Sequence, residues 1–201
     1  MLDDRESIHA HFTLHVGESA FAVLDDGPVL FPTPIYYSIP PSDRRPYWVL
    51  HTNGMSVYTL EGSSGGYAPR HAEFVMSLAS NWDPSHDWPR YVLRSVARVV
   101  AAHYEVPLDG EVYVNTCDAE RGSEEVFALV MAPSRQFGDA WLFRAPSGQK
   151  IGIYAMYPIT TDQYLGRLGK TKSASALIYR RGRLSGTWFH PPKRQRSPKR
   201  S

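Results

Sequence analysis

The sequence predicts an α+β domain, and three features carry that expectation. Residues 47–50, Tyr-Trp-Val-Leu, are aromatic or branched, and both alternating faces are apolar, as in a strand covered on two sides. Residues 71–78 alternate with period two, with Ala72, Phe74, Met76 and Leu78 on one face. Residues 89–104 instead repeat at helical spacing through Val92, Leu93, Val96, Val99, Val100 and Tyr104, with Pro89 in the first turn, where proline is tolerated.

The remaining elements follow in chain order. Residues 3–16 read as a helix, capped by Asp3 or Asp4, with Ile8, Phe12 and Val16 four apart. His9, His11 and His15 share this helix. The last two are one turn apart, but no third ligand is supplied locally, so a solvated face is expected rather than a metal site. Prolines at 28, 32, 34, 40, 41 and 46 divide the next segment. They leave Ile35, Tyr37 and Ile39 on one face of a strand at 35–39, either an edge strand or a short bounded one. After Leu50 the polarity changes at His51, Thr52 and Asn53, and Gly54, Met55 and Ser56 follow. Asn-Gly favours a turn, because both residues tolerate positive φ. The turn is either a binding site or a tight corner. Glu73 lies mid-strand on the less apolar face of 71–78, where a hydrogen bond to a neighbouring loop is expected to hold it.

Residues 61–69 are Gly- and Ser-rich but lack the Lys-Ser or Lys-Thr pair of a phosphate loop. Arg90, Arg94 and Arg98 run down the predicted helix away from its apolar stripe, an anion ladder or, more simply, a solvated face. Strands are expected at 111–116, 126–131 and 151–157, then short helices at 160–169, with Thr160 and Gln163 as a capping box, and at 173–181. Ser85-His86-Asp87 is not a triad, because triads assemble in space rather than by adjacency. Glu73 could serve as an acid or base only if His51 or His71 were aligned with it.

Composition narrows the function classes. The chain has 201 residues, 42% of them hydrophobic and 21% charged, as in one ordinary globular domain. It has no apolar run of about 18 residues for a membrane span and no secretory signal at its acidic start. Cys117 is the single cysteine, which precludes an intrachain disulfide and a cysteine-based zinc site, and Asp118 and Glu120 disfavour its thiolate. No cofactor or metal is expected, and a cytoplasmic location is the default. Eight of the 22 Lys and Arg lie from Arg180 onward with no acid among them, which leaves 14 basic and 20 acidic residues before it. A mildly acidic body at 1–185 thus precedes a basic, proline-containing tail at 186–201 that is expected to be disordered.

Several segments together resemble the suppressor of fused domain family: IYYSIPP, YWVLHTNGMS, HAEFVMSL, WPRYVLRSVA and IGIYAMYPIT, in the family's order from about residue 35 to 177. Thr52, Gly54, Met55 and Ser56 are the most specific portion, Glu73 matches the acidic residue of the next strand, and Trp88-Pro89 matches a helix start. The chain departs from the pattern at Gln163 and in the basic tail. The resemblance implies a mixed β-sheet flanked by helices and a non-enzymatic, protein-binding role. Eukaryotic members hold a transcription factor through an extended peptide, whereas compact bacterial members resemble immunity proteins that neutralise toxins. This chain has no room for the extra C-terminal domain that helps the eukaryotic proteins grip their peptide. The expected partner is therefore a protein, foremost a cognate toxin, met through Ile35, Tyr37, Ile39, His51, Thr52, Asn53, Gly54, Met55, Ser56 and Glu73. The first alternative is a regulator that adds a peptide strand at 35–39. The second is nucleic-acid contact through Lys193, Arg194, Arg196, Lys199 and Arg200, which phosphate binding would allow without a fold.

Overall fold

The structure is a computed structural model that describes residues 3–24, 34–60, 69–101, 112–114 and 128–159. Helix α1 spans Asp4–His15 and is followed by strands β1 (Phe21–Leu24), β2 (Ile35–Ile39), β3 (Tyr47–Asn53) and β4 (His71–Ala79). Helix α2 spans Trp88–Ala101, and strands β5 (Val112–Val114), β6 (Ala128–Pro133), β7 (Leu142–Arg144) and β8 (Lys150–Ile159) complete the described elements. The strands form one sheet ordered β1-β2-β3-β4-β8-β6-β5, with β7 pairing β8 beside β6. β4 and β8 run parallel, and every other pair is antiparallel, so the sheet is mixed.

The centre of the sheet is where the strand sequences are apolar on both faces. Leu50, Phe74, Met76, Leu78, Tyr154 and Met156 pack on one face with Val92, Leu93, Val96 and Ala97 of α2. Val49, Val75, Ile151 and Ile153 pack on the other face with Ile8 and Phe12 of α1 and with Phe137. β4 is therefore covered on both faces. Its less apolar side carries the buried Glu73 and Val75. Gly152 of β8 lets other chain atoms come close, since a Cβ there would lie 2.5 Å from the Pro69 ring and 2.8 Å from Tyr154.

The helix ends follow their local chemistry. The N-cap is Asp3: Glu6 N–H donates to Asp3 Oδ1 (2.7 Å), and Asp3 N–H donates back to the Glu6 carboxylate. Ser147 N–H donates to Asp4 Oδ1 (2.9 Å) and ties the first turn to the loop before β8. In α2, Arg90 pairs with Asp87 and reaches the Pro84 carbonyl, and the Arg94 guanidinium lies 5.8 Å from the Tyr91 ring centroid. Local partners thus engage both arginines. The Arg98 side chain lies outside the described residues.

Two elements were not anticipated from the sequence, and a third is decided between its alternatives. β1 carries no strong strand pattern, yet it pairs β2 from Phe21↔Ser38 to Leu24↔Ile35. β2 is consequently an interior strand between β1 and β3, so of the two readings its flanking prolines allowed, edge strand or short bounded strand, the second holds. Those prolines bound a five-residue strand without exposing it. Residues 135–141 form a kinked 3-10 segment around Gly138 (φ 52°), which delivers Phe137 to the core, and β7 follows it. The expectations for residues 61–68, Cys117, the helices at 160–169 and 173–181, and the tail fall outside the described residues.

Leu93 is fully buried against the sheet, so Leu93→Ala is expected to lower unfolding free energy by about 2–5 kcal/mol in a chemical denaturation measurement. Leu14, which is 78% exposed, is the control, and Leu14→Ala should change stability by less than about 0.5 kcal/mol.

Candidate functional site

The turn after β3 is organised by Glu73. The ladder between β3 and β4 runs from Tyr47↔Ala79 to His51↔Val75 and then stops. At the next step the Thr52 side chain replaces backbone pairing: Phe74 N–H donates to Thr52 Oγ1 (2.9 Å), and Thr52 Oγ1–H donates to Glu73 Oε2 (2.6 Å). Gly54 N–H (3.0 Å) and Ser56 N–H (2.9 Å) both donate to Glu73 Oε1. The next inward-facing group of β4, His71 Nδ1–H, donates to the Ser56 carbonyl (2.8 Å). Ser56 is therefore clamped through both its backbone groups by residues two apart on one strand.

The local sequence makes this turn possible. Gly54 adopts φ 114°, a left-handed conformation costly for any residue with a Cβ. A Cβ there would also meet the Arg5 guanidinium at 2.8 Å. The 3-10 turn Met55–Val57 follows, and Met55 is buried in the α2-side core. Asn53 Nδ2–H donates to the Arg5 carbonyl (3.0 Å), which docks the turn onto α1.

Burial and donors act on Glu73 in opposite directions. Complete desolvation raises its carboxyl above the usual carboxylate range, whereas the Thr52, Ser56 and Gly54 donors favour the ionised form. Every described group aimed at the carboxylate is a donor, an arrangement suited to retaining an acceptor inside the protein.

A row of rings runs beside this turn. Phe12 of α1 stacks on His51 (centroids 3.6 Å, planes 4° apart), His51 stacks on Tyr37 (5.2 Å), and His9 of α1 packs on Tyr37 (4.7 Å). His51 Nδ1–H donates to its neighbour's carbonyl, Thr52 O, at 2.9 Å. Burial lowers the His51 pKa to about 3, against a partial rise from the Thr52 carbonyl. His11 stacks on Phe143 and Phe137, and its Nε2–H donates to Ala140 O (2.9 Å).

The anticipated residues thus form one cluster, but they lie inside the protein. His51, Thr52, Asn53, Met55, Ser56, Glu73 and Ile39 are at most 3% exposed, and only Ile35 and Tyr37 are half-buried. Their polar groups are used to build the turn, and the expected loop-holding hydrogen bonds of Glu73 are present. Glu73 bonds to neither His51 nor His71 among the bonds described, and Ser85, His86 and Asp87 lie on the surface. Among the described residues no group of three or more His, Cys, Asp or Glu could hold a metal ion, and no helix is long and apolar enough to cross a membrane. The exposed apolar residues of β1 are a surface feature that the sequence reading missed: Phe21 is 50% exposed and Leu24 60%. The run Phe-Ala-Val-Leu, without charge or proline, was its only signal.

The mixed sheet with one parallel central pair and helices on both faces is a fold shared with known proteins. It matches the crystal structure of a Sufu–Fu complex with a TM-score of 0.59 and 13% identity, over 88% of this chain and 83% of that one. It also matches a Neisseria gonorrhoeae protein described as a suppressor of fused homolog, with a TM-score of 0.64 and 13% identity, over 92% and 91% of the two chains. No curated protein matches by sequence. The family model of the suppressor of fused protein matches residues 33–195, most of the chain, and the protein belongs to that family.

Glu73→Gln should destabilise the protein by about 1.5–3 kcal/mol in urea unfolding, because the amide nitrogen cannot accept the bonds it would face. Gly54→Ala should cost about 1–2 kcal/mol from backbone strain, and Gly54→Asn less, since asparagine tolerates positive φ.

Proposed function

We propose that this protein is a non-enzymatic protein-binding domain, most specifically a bacterial immunity protein that neutralises a cognate toxin. The observation that carries the reading is the internal use of the family's most specific motif. Thr52, Gly54, Ser56 and Glu73 satisfy one another in the core, which leaves no acid, base or nucleophile of that motif presented to a substrate. Membership in a family that includes a protein crystallised in a Sufu–Fu complex supports binding as the mode of action. The excess of 20 acidic over 14 basic residues before Arg180 suits a basic target such as a nuclease toxin, where complementary charge speeds encounter.

A second reading, addition of a partner's extended segment to the sheet, is favoured by β1. It ends the described sheet, pairs only β2 among the described strands, and exposes Phe21, Val23 and Leu24. Unprotected apolar edges of this kind accept a further strand. The basic residues Lys193, Arg194, Arg196, Lys199 and Arg200 lie outside the described residues, and no structural observation favours a nucleic-acid role for them.

Co-expression with the product of the adjacent reading frame is expected to restore growth of a host poisoned by that product, and the purified pair should bind with an affinity that weakens as salt rises. Failure of both rescue and binding would refute the immunity reading. Val23→Pro tests the second reading. It should weaken peptide-type binding at least tenfold while leaving the melting temperature within a few degrees, and unchanged binding would remove β1 from the interface.

A further inference from the structure

We propose that α1 is an acid-released cover over an apolar face of the sheet, opening while the sheet itself stays folded. The geometry supplies both the cover and its trigger. Only Ile8 and Phe12 of α1 are fully buried, so the helix is held by a small apolar contact, ring stacking and two hydrogen bonds near its first turn, from Asn53 to the Arg5 carbonyl and from Ser147 to Asp4. Two of its rings, His9 and Phe12, are three residues apart and rest on Tyr37 and His51, which face each other across β2 and β3. A third, His11, sits between Phe143 and Phe137 and donates to Ala140 O. Beneath the helix lie Ile39, Val49, Val75, Ile151 and Ile153, all essentially inaccessible while it is in place.

His51 couples the cover to protons. Its Nδ1–H is committed to the Thr52 carbonyl, and its buried Nε2 has no hydrogen-bond partner among the described residues. A proton on Nε2 would therefore be a buried cation without an acceptor. Lifting Phe12 exposes that nitrogen to water, so the open state binds the proton and the closed state does not.

The surroundings contain no described group that reverses this preference. α1 contributes His9, whose proximity disfavours a charge on His51, with Arg5 one turn before it and His11 and His15 after it. β2 contributes the Tyr37 ring and β3 the Thr52 carbonyl. β4 contributes Val75 opposite His51, and Glu73 two residues further on the same face. The described donors to Glu73 come from Thr52, Gly54 and Ser56, none of them from α1, so helix release leaves that carboxylate's bonds in place. The 3-10 segment contributes Phe137, with Arg135 at its start and Asp139 within it, and β8 contributes Tyr157 beside Arg135.

The sign follows from the direction of the shift. His51 is depressed from 6.5 to about 3 in the closed state, so the stability it lends to closure is complete above pH 6.5 and is lost as pH falls towards 3. His11, also lowered mainly by burial, adds in the same direction. One such group changes the opening equilibrium about tenfold per pH unit across that window.

Hydrogen exchange on the full-length protein between pH 6 and pH 4, corrected for intrinsic exchange, tests the proposal. Protection of the His11 and Phe12 amides is expected to fall several-fold to about tenfold per pH unit, while the Ile153 amide in β8 changes much less. An α1 protection factor that is flat with pH, or one that falls in parallel with Ile153, would overturn it. His51→Phe keeps the ring stack and removes the proton site, so the α1 slope should flatten, and an unchanged slope would also overturn the proposal. If that variant does not fold, the contrast between α1 and β8 in the natural protein decides alone.

Discussion

The buried Glu73 carboxylate and the donors that surround it are the constraint on which this fold depends. An ionisable group with no exposure is costly unless each of its oxygens is occupied, and here β3 and the turn after it supply a hydroxyl and two backbone N–H groups. That requirement explains the local sequence. Thr52 must accept from Phe74 and donate to Glu73, Gly54 must enter the left-handed region so that its N–H turns inward, and Ser56 must present its own N–H two residues later. Asn53 then anchors α1 to the turn through the Arg5 carbonyl. The polar cluster is thus an internal fastening between strand, turn and helix.

This arrangement bears on how the protein acts. A polar motif that stands out in a sequence invites a reading as chemistry, but Thr52, Gly54, Ser56 and Glu73 are turned inward and bonded to one another. What the described surface offers to another macromolecule is different in kind: an uncharged edge strand, with Phe21 near Trp48 (ring centroids 6.3 Å apart) at the rim of the α2-side core. Such a surface is suited to strand pairing and apolar burial rather than to chemistry.

The two helices hold the sheet by unequal means. α2 lays Val92, Leu93, Val96 and Ala97 into a broad core, so its attachment is mainly hydrophobic and insensitive to pH. α1 buries fewer apolar side chains and relies on stacked rings, several of them imidazoles. Attachment through stacked imidazole rings, with His51 and His11 held below the usual histidine range by burial, sets α1 apart from the purely apolar seating of α2.

Much of this was legible in the chain because it is local. Alternation at 71–78, the two-sided apolar run at 47–50 and the helical stripe after Pro89 each reflect which faces must be dry, and β3, β4 and α2 lie where these patterns place them. The Asn53–Gly54 turn and the loop-holding role of Glu73 could be read too, since a left-handed residue and a mid-strand carboxylate leave few alternatives. Strand order could not be read. Whether β2 forms an edge depends on β1, a four-residue strand whose pairing comes from its neighbour and not from its own pattern. Nor could the site residues be assigned to surface or core, because a polar run reads the same whether its partners are water or a carboxylate 21 residues away. Local preference settles which segments become strands and helices, and only long-range packing settles which polar groups find one another inside.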